Sequence, residues 1–356
     1  MRFRRLIAGI MDFRNLTEDE AYSLMEMIMA GELDDIKIAA ILTALAMKGE
    51  TVDEITGFAR AMRDKALKVR VPGSLEVVDS CGTGGDSFRS YNISTAAAII
   101  AAAAGVRVAK HGNRAVTGSC GGADILEAAG VNIELDADAA ARSLTEVGIS
   151  FMFAPLFHRA TARVAGVRRA LGFKTVFNIL GPLTSPAAAE IQLLGVFDPQ
   201  LVGPVAEVLR NLGTRRAMVV HGFDANLNPA LDEISTAGPT LVAFLEDDEI
   251  RIDRLMPTDF GVEAGRLEHL RAGSTPHENL EMFMDVLSGR DDTPAKKSRL
   301  DVALANAGAL IYLAGLADAL PEGTETARRT VKSGAALKLL KEFASYTWSE
   351  KSAVIS

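Results

Sequence analysis

The sequence predicts an α/β protein: a small all-helical N-terminal domain plus a larger α/β domain with a mostly parallel central sheet flanked by helices. Three observations predict it. The first seventy or so residues carry helix-start signals and helical apolar spacing. From Pro72-Gly73 onward, short β-rich runs alternate with helical stretches, which implies a parallel sheet covered by helices on both faces. The length of 356 residues accommodates one large domain and a smaller one.

Thr17 and Glu20 have the spacing of a capping box, followed by Ala21, Leu24, Met25 and Ile28 on one helical face, with Gly31 as the stop. A second helix starts at Asp34 and carries Ile38, Leu42 and Leu45. Thr51 and Glu54 repeat the capping box ahead of Ile55, Phe58, Ala59 and Met62. Three short amphipathic helices leave apolar surface for the rest of the chain, or a second copy, to cover. We place the helical domain at residues 1–71 and the α/β domain at residues 72–356. The helical stretch 167–186, ending in Leu180-Gly181-Pro182-Leu183, is expected to return to the helical unit and complete it. A cleft then lies between the two domains.

Strands are expected at residues 75–78, 106–109, 150–153, 191–197, 217–220 and 240–244. The tail reads as long helices at 277–287, 295–316 and 322–343. A hydrophobic fraction of 48% and a charged fraction of 24% are ordinary for a soluble protein. The net charge of -8 argues against nucleic-acid binding, which calls for a basic face. An anionic ligand would need a local basic site set against that field. Cys81 and Cys120 are too few for a disulfide scaffold and point to a reducing cytoplasm. The basic start is followed by an apolar run that Asp12 and Arg14 interrupt too early for a signal peptide. The small-residue run at 96–104 is too short to span a bilayer, so no membrane partner is expected.

The loop Gly82-Thr83-Gly84-Gly85-Asp86 follows an expected strand. Glycines there free backbone N–H groups to face an anion. Asn92-Ile93-Ser94-Thr95 then opens a helix, whose first turn offers unpaired N–H groups and the positive dipole end. Ser94 and Thr95 add hydroxyls, and Asp86 is placed to help hold a metal between phosphates. Spacing alone leaves a phosphate seat and an ordinary turn equally open. The second loop, Lys110-His111-Gly112-Asn113-Arg114, also follows a strand. Lys110 and Arg114 bring positive charge, and Asn113 brings a hydrogen-bonding amide; a solvated turn is the plainer reading. Two such loops at successive strand ends favour a ligand, because ligands of open α/β sheets gather there. Asp232-Glu233, after a loop with Gly222, Asn226 and Asn228, is either solvated surface or a Mg2+ seat beside a diphosphate. His158 and Arg168 flank a helical stretch. His269 and His277 show no metal-ligand pattern.

In order and spacing, these pieces resemble the anthranilate phosphoribosyltransferase family. The resemblance is carried by Asp79-Ser80-Cys81-Gly82-Thr83-Gly84-Gly85-Asp86, Asn92-Ile93-Ser94-Thr95 and Val108-Ala109-Lys110-His111-Gly112-Asn113-Arg114-Ala115-Val116. It continues in Val167-Arg168-Arg169, Thr175-Val176-Phe177-Asn178-Ile179-Leu180-Gly181-Pro182-Leu183-Thr184 and Asp232-Glu233-Ile234-Ser235. Such a resemblance implies a homodimer through the helical domain. It also implies transfer of phosphoribose from phosphoribosyl diphosphate to the amine of anthranilate, with Mg2+. By the match, Gly82, Gly85, Asp86, Asn92, Ser94, Thr95, Lys110 and Gly122 would hold the donor, with Lys110 as the electrostatic catalyst. Ser94, Asp232 and Glu233 would serve the metal. Gly82, Asn113, His158, Arg168 and Gly181 would line the acceptor channel, with Arg168 facing the carboxylate.

The chain departs from the family pattern at identifiable places. A Ser-Ser-Lys-Ser-Gly-Ser-Ala-Asp stretch becomes Thr117-Gly118-Ser119-Cys120-Gly121-Gly122-Ala123-Asp124, so Ser119 replaces a Lys and Gly122 a Ser. Ser87 stands where Gly is usual. Near the acceptor, His-Pro-Ala-Met-Lys-His becomes His158-Arg159-Ala160-Thr161-Ala162-Arg163. Arg159 and Arg163 either favour a more anionic acceptor or face solvent. The alternatives are a paralogue with another aromatic or nitrogenous acceptor, a nucleoside phosphorylase, and a catalytically silent binding protein. The acidic balance and the intact Lys110, Asn113 and Asp232-Glu233 count against the last.

Overall fold

The structure, a computed structural model, describes residues 2–73, 75–115 and 120–355. It opens with α1 (Arg2–Met11), α2 (Glu18–Ala30), α3 (Asp35–Lys48) and α4 (Val52–Lys65). Both capping boxes form: the Thr17 and Thr51 hydroxyls accept from the Glu20 and Glu54 amides, and the two carboxylates reach back. Each such cap contributes about 1 kcal/mol. Glu54 is also fully buried, accepting from the Leu16 amide and pairing with Lys48 at 2.8 Å. The helix α1 goes beyond the sequence-based expectation; it is anchored by buried Leu6 and Ile10.

Strands and helices then alternate. They run β1 (Val78–Gly82), α5 (Ile93–Ala103), β2 (Val108–Gly112), α6 (Gly122–Ala128), α7 (Ala137–Glu146) and β3 (Ile149–Phe153). Next come α8 (Ala154–Phe157), α9 (Ala162–Leu171), α10 (Phe177–Leu180), β4 (Ile191–Gly195), α11 (Val202–Asn211) and β5 (Arg216–Phe223). The chain continues through β6 (Pro229–Leu231), β7 (Thr240–Glu246) and β8 (Glu249–Leu255). It closes with α12 (Pro276–Leu287), α13 (Pro294–Leu313), α14 (Leu320–Lys332) and α15 (Ala335–Ile355).

Among the described residues the strands make one eight-stranded sheet in the order β3-β2-β1-β4-β5-β7-β8, with β6 on β5. Neighbours from β3 to β5 are parallel, while β6, β7 and β8 add antiparallel pairs. The order runs outward from β1 through β2 to β3, then returns to place β4 on the other side of β1. That reversal opens a crevice at the carboxyl ends of β1 and β4. Gly82 and Gly195 are register partners at that end.

Alternate strand residues feed two cores. Leu193, Met218 and Val220 pack with α5 and α13, while Leu194, Ala217 and Val219 face α11. The second core continues through Val164, Val167, Val176, Phe177, Leu180 and Leu183 into the buried residues of α2, α3 and α4. Arg63 of α4 fixes this seam, donating to the Leu183 carbonyl at 2.7 Å and the Leu212 carbonyl at 3.1 Å. The helix α14 lies close against α13, since a Cβ on Gly308 would stand 2.4 Å from the Thr324 hydroxyl.

Several elements differ from expectation. The strand β1 starts at Val78, so Leu75 lies before the sheet. The expected helix over 322–343 divides at Ser333, because Gly334 takes the left-handed φ of 78°. The strand β8 goes beyond the expected set; its turn uses Asp247 and Asp248 at φ 50° and 66° in place of glycine. Among the described residues, no helix is long and apolar enough to cross a membrane.

Candidate active site

The glycine loop is tied to the end of β4. The Thr83 amide donates to the Gly195 carbonyl at 2.9 Å, and the Phe197 amide donates to the Thr83 hydroxyl at 3.0 Å. Gly84 and Gly85 adopt φ of 65° and 76°, which residues with a Cβ rarely take. The Gly84 amide donates to the Asp232 carboxylate at 2.7 Å. Asp232 lies directly on both strand ends: a Cβ would stand 2.3 Å from its carboxylate at Gly82, and 1.6 Å from its carbonyl at Gly195. Only glycines admit that approach. The acidic loop is held from behind by Asn306 of α13, a fully buried residue. Asn306 accepts from the Ile234 amide and donates to the Ile234 carbonyl, both at 3.1 Å.

The start of α5 meets the same acids. The Ser94 amide donates to Glu233 at 3.1 Å. Lys110 is buried and donates to the Ser80 carbonyl at 2.7 Å and the Ser94 hydroxyl oxygen at 3.3 Å. The Ser94 hydroxyl also hydrogen-bonds the Glu233 carboxylate, so a ligand oxygen would have to take that proton in its place. A Cβ on Gly122 would lie 3.3 Å from the Thr95 hydroxyl and 3.9 Å from Lys110 Cε, so these three are neighbours. Asn92 does not cap its own helix but donates to the Cys120 carbonyl at 3.1 Å, joining the two loops. Asp86 accepts from the Arg89 amide at 3.0 Å.

The site carries more acid than base. Burial pushes the Asp79 carboxyl up to about 6, Asp232 to about 7 and Glu233 to about 8. Asp86 is raised by burial as well, and its charge adds to the rise at Asp232, whose own charge adds to that at Glu233. Lys110 opposes the rise at Asp79, Asp232 and Glu233 but is one cation among several acids.

On the other side of β2, His158 and His111 face each other with ring centroids 5.0 Å apart. Burial holds His111 down at about 3 and His158 at about 4, so both imidazoles are neutral at pH 7. Their weak backbone contacts are to Gly181 and Thr184 respectively, which brings Gly181 to this pair. Arg168 lies over the Phe177 ring at 5.6 Å, and burial lowers its pKa. Asn113 is exposed and accepts from the Arg114 amide at 2.8 Å. Among the described residues, no hydrogen bond or ring contact joins Asn113 or Arg168 to the histidine pair.

Residues 74–337 match the glycosyl transferase family, a/b domain, and residues 4–66 match the glycosyl transferase family, helical bundle domain. A protein of Methanothermobacter thermautotrophicus named anthranilate phosphoribosyltransferase is 90% identical, covering 98% of this chain and 99% of its own. The chain belongs to that family. Another member, from Nitrosomonas europaea, is 46% identical over 96% of this chain and 98% of its own. Among solved structures, the anthranilate phosphoribosyltransferase of Thermus thermophilus aligns with a TM-score of 0.87 at 39% identity, covering 96% of this chain and 99% of that one. That of Saccharomyces cerevisiae, solved in complex with PRPP and Mg, aligns with a TM-score of 0.86 at 26% identity over 98% of both chains.

The acids suit the Mg2+ expected in this family. Among the described residues, no group of three or more His, Cys, Asp or Glu side chains is assembled to hold a metal. Mg2+ ordinarily takes one or two carboxylates and completes its shell with water and substrate phosphate oxygens. The buried Asp86 oxygen without a hydrogen-bond partner and the raised Asp232 and Glu233 carboxyls fit that donor set.

Two readings of the second loop and acceptor segment change. Arg114 pairs with Asp124 at 3.0 Å and Glu127 at 2.8 Å, so its charge is neutralised within its own loop and helix. Arg163 has its guanidinium where a Cβ on Gly31 would stand, at the end of α2, which accounts for this departure structurally. Arg159 is exposed, and Ser119 lies outside the described residues. Asn306, Gly195 and His111 are site residues to which the sequence patterns gave no role. Asn306 does leave a trace, as a lone amide within the otherwise apolar run 302–311.

Proposed function

We propose that the chain transfers phosphoribose from phosphoribosyl diphosphate to the amine of anthranilate and releases pyrophosphate, a step of tryptophan biosynthesis. The observation that carries this reading is the Asp232-Glu233 pair seated on the Gly84 and Ser94 amides at the switch point of the sheet. Family membership and the yeast relative's complexes with PRPP and Mg and with 4-fluoroanthranilate support it.

Donor binding exchanges partners. The phosphate oxygens take the amides of the glycine loop and of the α5 start, with the Ser94 and Thr95 hydroxyls, and the carboxylates so released would hold Mg2+. Gly82, Gly85, Asn92 and Gly122 shape the seat, and Asp86 would help hold the metal beside it. The bound metal supplies neutralisation of the leaving diphosphate. Lys110 stabilises the same developing charge from beneath, as a fixed cation whose position needs no rearrangement. The bond from ribose C1 to the diphosphate oxygen breaks, and the amine lone pair bonds to C1. The surplus N–H proton then leaves to solvent. An aromatic amine is neutral at pH 7, so no strong base is required. Arg168 faces the acceptor carboxylate, with Asn113, His158, Gly181 and Gly82 lining its channel. The same reading makes the chain a cytoplasmic homodimer through its N-terminal helices, where Met11, Phe13, Ile36 and Met47 are exposed.

An acceptor screen with phosphoribosyl diphosphate and Mg2+, following pyrophosphate release, tests the proposal. Turnover with anthranilate is expected, together with rescue of a tryptophan auxotroph. Donor binding with turnover only of another amine would replace anthranilate as acceptor; absence of donor binding at millimolar Mg2+ would end the transferase reading.

A further inference from the structure

Lys174 touches the glycine loop from a different part of the chain. It lies between α9 and α10, and its neighbours Val167, Val176 and Phe177 belong to the apolar core shared with the N-terminal helices. Its Nζ stands 3.6 Å from the centroid of the Phe197 ring, just beyond β4. A Cβ on Gly85 would lie 3.4 Å from Lys174 Cε and 3.8 Å from Nζ. Lys174 is exposed, and its charge favours the ionised form of the nearby Asp86 carboxyl. Both cations of the second loop are engaged: Lys110 is buried on two acceptors, and Arg114 is paired with Asp124 and Glu127.

We infer that Lys174 is a donor-binding residue, whose ammonium is held on the Phe197 ring beside Gly85 to take up the diphosphate of the sugar donor. The inference rests on the phosphoribosyltransferase reading. A cation on an aromatic face is pre-positioned but modestly stabilised, whereas a diphosphate oxygen is a stronger, charge-assisted partner. The transfer is therefore downhill. A cation is also called for, because Asp79, Asp86, Asp232 and Glu233 already outnumber Lys110, and Ser119 stands where the family pattern has Lys. Lys174 sits on the segment packed with the helical bundle, while Gly85 lies on the loop that leaves β1. Its contact with the donor would thus join the two layers across the crevice.

The test compares the full chain with Lys174→Met and Lys174→Arg in the presence of Mg2+. KM for phosphoribosyl diphosphate, KM for anthranilate, and the calorimetric affinity for inorganic pyrophosphate are measured for each. Lys174→Met is expected to raise the donor KM and weaken pyrophosphate binding by about tenfold or more, the scale of one charge-assisted hydrogen bond. The anthranilate KM and the unliganded Tm should hold, and Lys174→Arg should retain most of the donor affinity. Parent-like donor KM and pyrophosphate affinity in Lys174→Met, with the parent turning over normally, would overturn the inference alone. An equal rise in both KM values would overturn it too, as the mark of a general structural effect. A parent chain that binds neither donor nor pyrophosphate with Mg2+ would overturn the inference and the reading beneath it together.

Discussion

Replacing Asp232 and Glu233 together by Asn and Gln should make the metal-free chain more stable at pH 8.5 while abolishing Mg2+-dependent turnover. Both carboxyls titrate higher in the folded chain than their ordinary 3.8 and 4.5, reaching about 7 and about 8, because they are buried beside each other and Asp86. The folded state therefore holds more protons than the unfolded state between those limits, and stability falls as pH rises from about 4 through about 8. Each tenfold change in a protonation equilibrium corresponds to about 1.4 kcal/mol. The two acids share a single repulsion, so the variant should recover about 2–4 kcal/mol at pH 8.5, less than two independently titrating carboxyls would give. At pH 4 the gain should shrink to below about 1 kcal/mol, since both acids are then neutral in the folded state and only partly ionised in the unfolded one. Asn and Gln keep the acceptors that the Gly84 and Ser94 amides use, so the loop should hold its shape. Urea unfolding at the two pH values, with and without Mg2+ and donor, measures the effect. A variant as stable as the parent or less so at pH 8.5, or a parent profile flat in pH, would refute the electrostatic account of the site.

Three further outcomes are expected. Asn306→Ala leaves the buried Ile234 amide and carbonyl without their partner; it should cost about 2–4 kcal/mol in denaturant unfolding and lower kcat more than it raises the anthranilate KM. Gly195→Ala must push the Asp232 backbone aside, because its Cβ would stand 1.6 Å from that carbonyl. Activity should fall on the order of a hundredfold for a displacement near 1 Å, and steady-state kinetics beside a thermal melt would separate this from unfolding. Arg163→Ala should leave the anthranilate KM unchanged, since the guanidinium lies at Gly31; a rise in that KM would return Arg163 to the acceptor channel.

Much of the fold was legible because local chemistry and tertiary structure agree. Thr17/Glu20 and Thr51/Glu54 start helices where the capping box says they should. Alternating strand and helix runs give the parallel half of the sheet. The misses share a cause: the deciding contact is distant in sequence or the signal is unusual. The hairpin into β8 turns on two aspartates, which tolerate the left-handed region without announcing a turn as glycine does. Helix α1 is recognised by the burial of Leu6 and Ile10 rather than by a cap. At the site, the glycine loop and the acidic pair could be picked out by residue type and spacing. That Gly82 and Gly195 are register partners beneath Asp232, and that Asn306 clamps Ile234, follows only from strand order and helix packing. Arg114 and Arg163 show the converse error: a charge in a promising motif is engaged elsewhere once its neighbours are known.

The most direct test of the central claim is the product itself. Phosphoribosyl diphosphate, anthranilate and Mg2+ are incubated with the chain, and the ribose–nitrogen adduct is quantified by mass spectrometry alongside pyrophosphate. The account predicts equal amounts of the two, dependent on Mg2+ and lost in the Asp232→Asn, Glu233→Gln variant. Donor that persists unreacted beside anthranilate at saturating Mg2+, or metal-independent phosphorolysis of a nucleoside in its place, would contradict it.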